Sequence, residues 1–407
     1  MDARRTVPIG FGEFVALSAA MMSTQAIAID AMLPAFPAIV AALKVSNPNH
    51  GQWIVTAYMA GLGTGQLVWG LMSDRFGRRP IVLGGLGLYV VAALVCGLTK
   101  SFEALLAWRF VHGLAAASAT VVRSIVRDLY SGRQMARVLS LTFVVFLTVP
   151  VLAPSLGQAI LWLGSWRYIF IVCGVFASSV WLCAFLRLPE TLHPEYRLSL
   201  DPAHILRAVR LVVVNRISMF YTFAMTVLFG SLIAYVGMVQ QIFADAFHRP
   251  RIMPLMFALC AVFMGVAAFT NSRLVGRLGM RLISHSAILV FIAVSALHVA
   301  IVALGWEELW TFVVLQAATM ATFSLSVSNF GAMAMEPVGA VAGIGASLQG
   351  CISTGGAAIV GAVIGREFNG TTQPLATGSL CCGFIALGFV LAAERGRLFR
   401  QHHAGAA

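Results

Sequence analysis

Long apolar stretches separated by short charged turns make up most of the chain. Ten stretches carry no Asp, Glu, Lys or Arg over about 19 residues or more, the length a helix needs to cross a bilayer. They are residues 45–73, 80–99, 138–166, 168–186, 217–244, 252–272, 282–306, 309–335, 337–365 and 368–393. Two more qualify with a single charge each: 14–43, interrupted by Asp30, and 104–122, interrupted by Arg109. Backbone polar groups inside lipid must be satisfied within the spanning element, and barrel strands would be shorter and would alternate, so helices are the reading. The pattern predicts an all-α membrane protein with twelve transmembrane helices in two six-helix halves. The halves are 1–187 and 216–407, joined by a polar loop over 188–215.

The loop mixes Pro189, Pro194 and Pro202 with acids and bases, then runs Ile205-Leu-Arg-Ala-Val-Arg-Leu211. Arginines three apart among apolar residues suit an amphipathic helix on the inner membrane surface, and a solvated linker is the equal alternative. A repeat supports two like halves: Arg75-Phe-Gly-Arg-Arg79 returns as Arg277-Leu-Gly-Met-Arg281, 202 residues later in a chain of 407. With the N-terminus inside, twenty Lys and Arg fall in inner segments, among them Arg4, Arg5, Arg133, Arg197 and Arg400. Six fall outside: Lys44, Lys100, Arg167, Arg249, Arg251 and Arg366. Both termini are therefore expected in the cytoplasm.

Composition agrees. Hydrophobic residues are 59% of the chain and charged residues 10%, against about 25% charged in soluble domains, too few to cover a soluble surface. The net charge of +12 forms no basic tract with interleaved aromatics, so a nucleic-acid partner is not expected. The first apolar run is too long for a signal-peptide core of ~7–15 residues. Seven cysteines all lie in apolar segments, without metal-ligand spacing, and read as packing residues. Neither H-E-x-x-H nor G-x-S-x-G occurs, so an enzyme is not expected, and no cofactor or metal beyond a proton gradient.

Charges inside spans mark function by default. Asp30 lies roughly 20 Å from the outer end of its helix and Arg109 roughly 9 Å below the outer surface, at ~1.5 Å per residue. The two can be linked directly or through water. Burial favours the neutral form of a carboxyl and a neighbouring guanidinium the charged form, so Asp30 suits a proton carrier; a static ion pair is the alternative. His112, one turn beyond Arg109, is a relay or a packing histidine. Polarity within spans picks Tyr58, His112, Tyr221, Tyr235, Gln316 and Asn329, with Asp30, as the wall of a substrate cavity. Pro34 and Pro37, Pro150 and Pro154, and glycines 343, 345, 350, 355 and 356 predict bends and close helix approaches.

The turn Gly70-Leu-Met-Ser-Asp-Arg-Phe-Gly-Arg-Arg79 sets Asp74 among Arg75, Arg78 and Arg79. A carboxylate there can face the positive end of the helix starting near Val338, with Arg123 and Arg127 completing a cytoplasmic gate.

Gly70, Asp74, Arg75, Gly77, Arg78 and Arg79 resemble the loop signature of the major facilitator superfamily. Residues 30–37, Arg123-Ser-Ile-Val-Arg-Asp-Leu-Tyr130, Pro150-Val-Leu-Ala-Pro154-Ser-Leu-Gly157 and Gly164-Ser-Trp-Arg167-Tyr-Ile-Phe170 are similar to the bicyclomycin/chloramphenicol (Bcr/CflA) group of bacterial drug/proton antiporters. The resemblance implies export of small amphiphilic compounds against proton entry, by alternating access, across the bacterial inner membrane. It places Asp30 and Arg109 in proton coupling and Pro150, Pro154 and Gly157 in an antiporter motif on the fifth helix. Ala153 and Gln158 depart from that motif, and residues 22–29 lack the second acid of some multidrug relatives. The expected partners are a small-molecule substrate, protons and the bilayer, with the chain a monomer. Alternatives are export or facilitated passage of a sugar, siderophore or other metabolite; an embedded enzyme would need clustered nucleophile, base or metal-ligand residues, and a receptor would not need the intramembrane acid and base.

Overall fold

The computed structural model describes residues 9–130, 132–193, 195 and 201–399. Arg4, Arg5, Pro194, Arg197 and Arg400 lie outside these, as does the Arg133 side chain. All regular structure among the described residues is helical. The chain divides into two compact units, Met1–Ile205 and Leu206–Ala407.

The first unit opens with α1 (Phe11–Asp30). Pro34 has no N–H to give the Asp30 carbonyl, so the α-helix stops there. A 3-10 turn (Leu33–Ala35) leads into α2 (Phe36–Ala42). The first predicted span is thus broken immediately after its one charge. Helices α3 (Trp53–Phe76) and α4 (Arg78–Leu98) meet at Gly77, whose φ of +107° suits glycine alone. Ser101 caps α5 (Phe102–Ala116) by accepting from the Ala104 N–H at 3.2 Å. A 3-10 turn (Ala117–Val121) carries the chain into α6 (Val122–Leu129), beyond the predicted end at 122. α7 (Gly132–Trp162) runs through Pro150 and Pro154, and α8 (Arg167–Arg187) follows. Arg167 donates to the carbonyls of Gly97 and Thr99, both at 2.7 Å, and so caps the negative end of α4.

Then come α9 (Pro202–Val214), α10 (Arg216–Gln241), a π-turn (Ile242–Ala246), α11 (Met253–Leu278) and α12 (Met280–Ala303). The remainder is α13 (Leu309–Met335), a 3-10 turn (Glu336–Val341), α14 (Ala342–Arg366) and α15 (Gln373–Ala393). Of the two readings of 205–211 the structure takes the helical, two-faced one. Leu206, Arg207, Arg210, Leu211 and Val214 are exposed while Ala208 and Val212 are buried.

Nine helical stretches among the described residues are long and apolar enough to cross a membrane, so the chain is a multi-pass membrane protein. One, Leu309–Arg366, is 58 residues long, about 87 Å of helix, and non-helical Val338 breaks it into α13 and α14. Helix α3 carries Ser73-Asp74-Arg75 in its last turn and is not among the nine; from α7 the shorter apolar stretch Thr148–Trp162 is described.

The two units pack their helices in the same way. In the first, α1 lies along α7, α3 along α5 and α4 along α8. In the second, α10 lies along α14, α11 along α13 and α12 along α15. First with fifth, second with fourth and third with sixth is one pairing rule used twice. Each unit has its own apolar core. Phe14, Met21, Leu86 and Ile125 centre the first, and Leu228, Phe291, Phe330 and Val390 the second.

Candidate functional site

Asp30 closes α1 and is 6% exposed. Its neighbourhood is defined by backbone approach: a Cβ on Gly157 would meet the Ala31 carbonyl oxygen at 2.0 Å. Any larger residue at 157 would push α7 off the end of α1. No hydrogen bond or ion pair reaches Asp30 from the described residues.

Arg109 is fully buried on α5. Its Nε donates to the Ile54 carbonyl at 3.3 Å, and one terminal nitrogen donates to the Ala28 carbonyl at 3.2 Å. The other terminal nitrogen lies 3.2 Å from His112 Nδ1. The guanidinium stacks 4.4 Å from the Tyr58 ring centre, a cation–π contact strengthened by the absence of water. Two rings flank His112, Tyr89 at 4.1 Å and Tyr58 at 5.4 Å. Both hydroxyls are committed to α1, Tyr89 donating to the Thr24 carbonyl at 2.9 Å and Tyr58 to the Gln25 carbonyl at 3.2 Å.

Glycines let α3 approach α5 closely enough to build this. A Cβ on Gly61 would sit 1.9 Å from the Phe110 oxygen, and one on Gly113 would sit 1.9 Å from the Tyr58 oxygen. Gly61-x-x-x-Gly65 is the smooth stripe that membrane helices use for backbone contact.

The structure therefore gathers Tyr58, Arg109 and His112, with Asp30 near Tyr58, and takes one side of two open readings. Asp30 and Arg109 form no direct pair among the described residues; the guanidinium meets two backbone carbonyls and an imidazole instead. Nor is His112 arranged as a relay. A guanidinium only donates, so Nδ1 must accept and has no free site for a proton.

The second-half candidates are placed in the interior of their own unit. Tyr221 does not stand alone as a wall residue: its hydroxyl donates to Glu394 at 2.7 Å and lies 3.1 Å from His285. Tyr235 stacks on Phe257 at 5.7 Å. Asn329 donates to Asn271 at 2.8 Å and to the Leu325 carbonyl at 2.7 Å. Gln316 is buried with its amide nitrogen unmet.

At the α3–α4 turn the organising residue is Arg78. It pairs with Asp74 at 2.5 Å and with Asp128 at 3.1 Å, and donates to Ser73 Oγ at 2.8 Å. Ser73 in turn donates to the Gly70 carbonyl at 3.0 Å. Glu190 accepts from the backbone N–H of Arg78 at 2.9 Å and of Arg79 at 3.2 Å, a carboxylate at the positive end of α4. A Cβ at Gly77 would lie 2.4 Å from that carboxylate, which could swing aside, so φ is what requires glycine here. Arg79 donates to the Phe185 carbonyl at 2.8 Å. Arg75, Arg123 and Arg127 are exposed, and the cluster closes on Asp128, next to Arg127. Glu13 is exposed and forms a bidentate pair with Arg187 at 2.5 and 2.8 Å.

Asp128 and Glu190 went unread because an acid in a polar loop looks solvated. The repeat could have exposed them. In the second unit Arg281 pairs with Glu394 at 2.8 Å and Glu336 at 3.5 Å. In each unit an arginine opening the third long helix thus gathers acids that follow the fourth and sixth.

The Major Facilitator Superfamily profile matches residues 14–362. A bicyclomycin resistance protein homolog of Haemophilus influenzae is 30% identical over 349 residues, 85% of this chain and 87% of the relative. The uncharacterized MFS-type transporter YdgK of Bacillus subtilis is 30% identical over 344 residues, 83% of this chain and 84% of the relative. Among solved structures, a D-xylose-proton symporter superposes with a TM-score of 0.71 at 13% identity, covering 93% of this chain and 97% of its own.

Proposed function

Because this chain belongs to the major facilitator superfamily, and so is a membrane transporter and not an enzyme, we propose that it exports small amphiphilic compounds in exchange for protons. The observation that carries this reading is Asp30, a nearly buried carboxyl that no donor among the described residues meets, in the same unit as a buried guanidinium that no described carboxylate meets. An ionised carboxylate left without donors in an apolar interior is costly. The arrangement suits the proton-loaded form of Asp30, with Arg109 held in reserve to stabilise the carboxylate once the proton departs. The resemblance of residues 25–170 to drug/proton antiporters, and a relative named for bicyclomycin resistance, support an antibiotic-like cargo. The absence of a second acid in 22–29 favours neutral compounds over cations.

The chain is read as crossing the bacterial inner membrane twelve times, as a monomer. α3, α7 and the two parts of Leu309–Arg366 complete the count, and the basic turns face the cytoplasm. Alternating access then opens and closes the two like units, with the Asp74–Arg78–Asp128 cluster latching the cytoplasmic side.

The test is transport in inverted membrane vesicles holding an imposed pH gradient, with bicyclomycin as the first probe. Wild-type vesicles should lose the gradient faster when the compound is added, and Asp30→Asn should abolish that response. Compound-driven proton movement that survives Asp30→Asn would show the assignment to be wrong.

A further inference from the structure

Helix α9 (Pro202–Val214) ends one residue short of α10 (Arg216–Gln241), and Asn215 between them serves both. Its N–H closes α9 on the Val212 carbonyl at 3.2 Å, and its side-chain oxygen caps α10 by accepting from the Ser218 N–H at 3.0 Å. α10 opens the stretch Arg216–Ala246, long and apolar enough to cross the bilayer. The joint therefore holds the end of α9 at the level of the lipid headgroups. At ~1.5 Å per residue the rest of the helix reaches no more than about 20 Å from there.

Exposure along α9 follows the helical period. At about 100° per residue, Val213, Leu206, Arg210, Val214, Arg207 and Leu211 succeed one another across an arc of about 160°. All six are exposed, Leu206 at 68%, Leu211 at 60% and Val214 at 73%, while Ala208 and Val212 on the far side are buried. Four aliphatic side chains gathered on one face mark an interaction surface. The two arginines stand within the apolar arc and not beyond its edges. No acid occurs in α9; Asp201, immediately before it, accepts from the Ala203 N–H at 3.1 Å.

That mixture discriminates among occupants. An apolar protein surface laid on this face would have to bury two guanidinium groups, which is costly without paired acids. A nucleic acid would satisfy the arginines and leave the four aliphatic groups in water. The edge of a bilayer meets both needs: aliphatic groups sit at the acyl boundary, and arginine stems lie along it while their heads reach phosphate. Positive charge there favours acidic headgroups over zwitterionic ones.

We infer that the exposed face of α9 is a binding surface for acidic phospholipid, with Arg207 and Arg210 on the headgroups and Leu206, Leu211, Val213 and Val214 at the acyl boundary. On the orientation proposed above, the lipid is that of the cytoplasmic leaflet. The contact itself depends on neither that orientation nor proton coupling.

The test uses the full chain in lipid nanodiscs, with a fluorophore attached at Leu211→Cys in a cysteine-free background. The discs are phosphatidylcholine containing a minority of brominated phosphatidylglycerol or, in parallel, of brominated phosphatidylcholine; the bromines quench on contact. Brominated phosphatidylglycerol should quench the more effectively, by up to about fivefold for each arginine, the equivalent of about 1 kcal/mol. Raising the salt from about 0.05 M to about 0.5 M should narrow the difference. Arg207→Gln with Arg210→Gln should bring the two lipids level without abolishing quenching, because the aliphatic groups still hold the helix at the surface. Arg207→Lys with Arg210→Lys keeps the charge and should keep the preference.

Equal quenching by the two lipids in the arginine-bearing protein, or a preference that survives the glutamine pair, overturns the inference. So does a lysine pair that behaves as the glutamine pair does. Iodide, a quencher confined to water, covers the remaining cases. A fluorophore open to iodide and untouched by either lipid would place α9 in water, and one shielded from iodide and both lipids would place another protein surface over it. Each overturns the inference. No readout involves transport, so the Asp30→Asn result and this one can fail separately.

Discussion

A buried arginine can be satisfied in two ways, and this protein uses both. Arg109 is met by carbonyls, an imidazole and a ring face, which leaves its charge uncancelled. Arg78 and Arg281 are met by carboxylates, which cancels theirs. The second arrangement favours stability in one state; the first leaves a charge to be deployed. The acid at the end of α15 shows how tightly the cancelled kind is held. Burial pushes the Glu394 carboxyl up, but hydrogen bonds from Tyr221 and Arg281, with the charge of Arg281, outweigh it and hold the group below its ordinary value of 4.5. A lowered carboxyl contributes stability that is complete above the unfolded-chain value and is lost as pH falls through the folded one. Glu394→Gln should therefore lower the melting temperature at neutral pH and flatten the acid limb below about pH 4.5, by an amount on the order of 1–2 kcal/mol. Melting curves in detergent across that range check it, and superimposable acid limbs would show that Glu394 contributes nothing through its charge.

At the scale of the element, placement depends on glycine. The α3–α5 pair brings Tyr58, Arg109 and His112 together because Gly61 and Gly113 let backbone meet backbone. Gly113→Ala would put a methyl group 1.9 Å from the Tyr58 carbonyl oxygen, which side-chain repacking cannot relieve. The helices must separate at a cost of about 1–3 kcal/mol or more, and Arg109 loses its bond to Ile54. We expect a lower melting temperature together with loss of proton coupling. By contrast Gly84→Ala, where an added Cβ meets nothing within 4 Å, should leave both unchanged. Asp30 and Arg109 were legible in the sequence because a charge inside an apolar run has few inexpensive explanations. Their separation was not, since it depends on which carbonyls α1 and α3 present, and those follow from helix approach. The glycines responsible went unweighted because glycine is common in membrane helices whether or not it is in contact.

Across the whole molecule, the repeat at an offset of 202 residues is expressed in backbone and charge together. Gly77 and Gly279 take φ of +107° and +80° at equivalent turns, and each precedes an arginine that collects acids. The sequence carried this because the turn needs glycine and the basic residues cluster beside it. It concealed which arginine acts. Arg78 organises the first cluster, yet Arg281 stands at the offset of Arg79. The bias of basic residues also predicts orientation. In a cysteine-free background, a cysteine replacing Arg251 should react with a membrane-impermeant maleimide in intact cells, and one replacing Arg277 only after the cells are broken. Labelling in the reverse order would invert the topology proposed above.

Gly157 bears on how this transporter can change under selection. The atom that a Cβ there would strike is the Ala31 carbonyl oxygen, part of the main chain beside Asp30, so no second mutation at a neighbouring side chain can make room. Drift and drug pressure can rewrite exposed Ser155 and half-buried Gln158 on the same helix, but position 157 is closed to every residue with a side chain. A saturation library challenged with a succession of compounds would thus evolve its cargo range around a fixed point packed against the residue that follows Asp30.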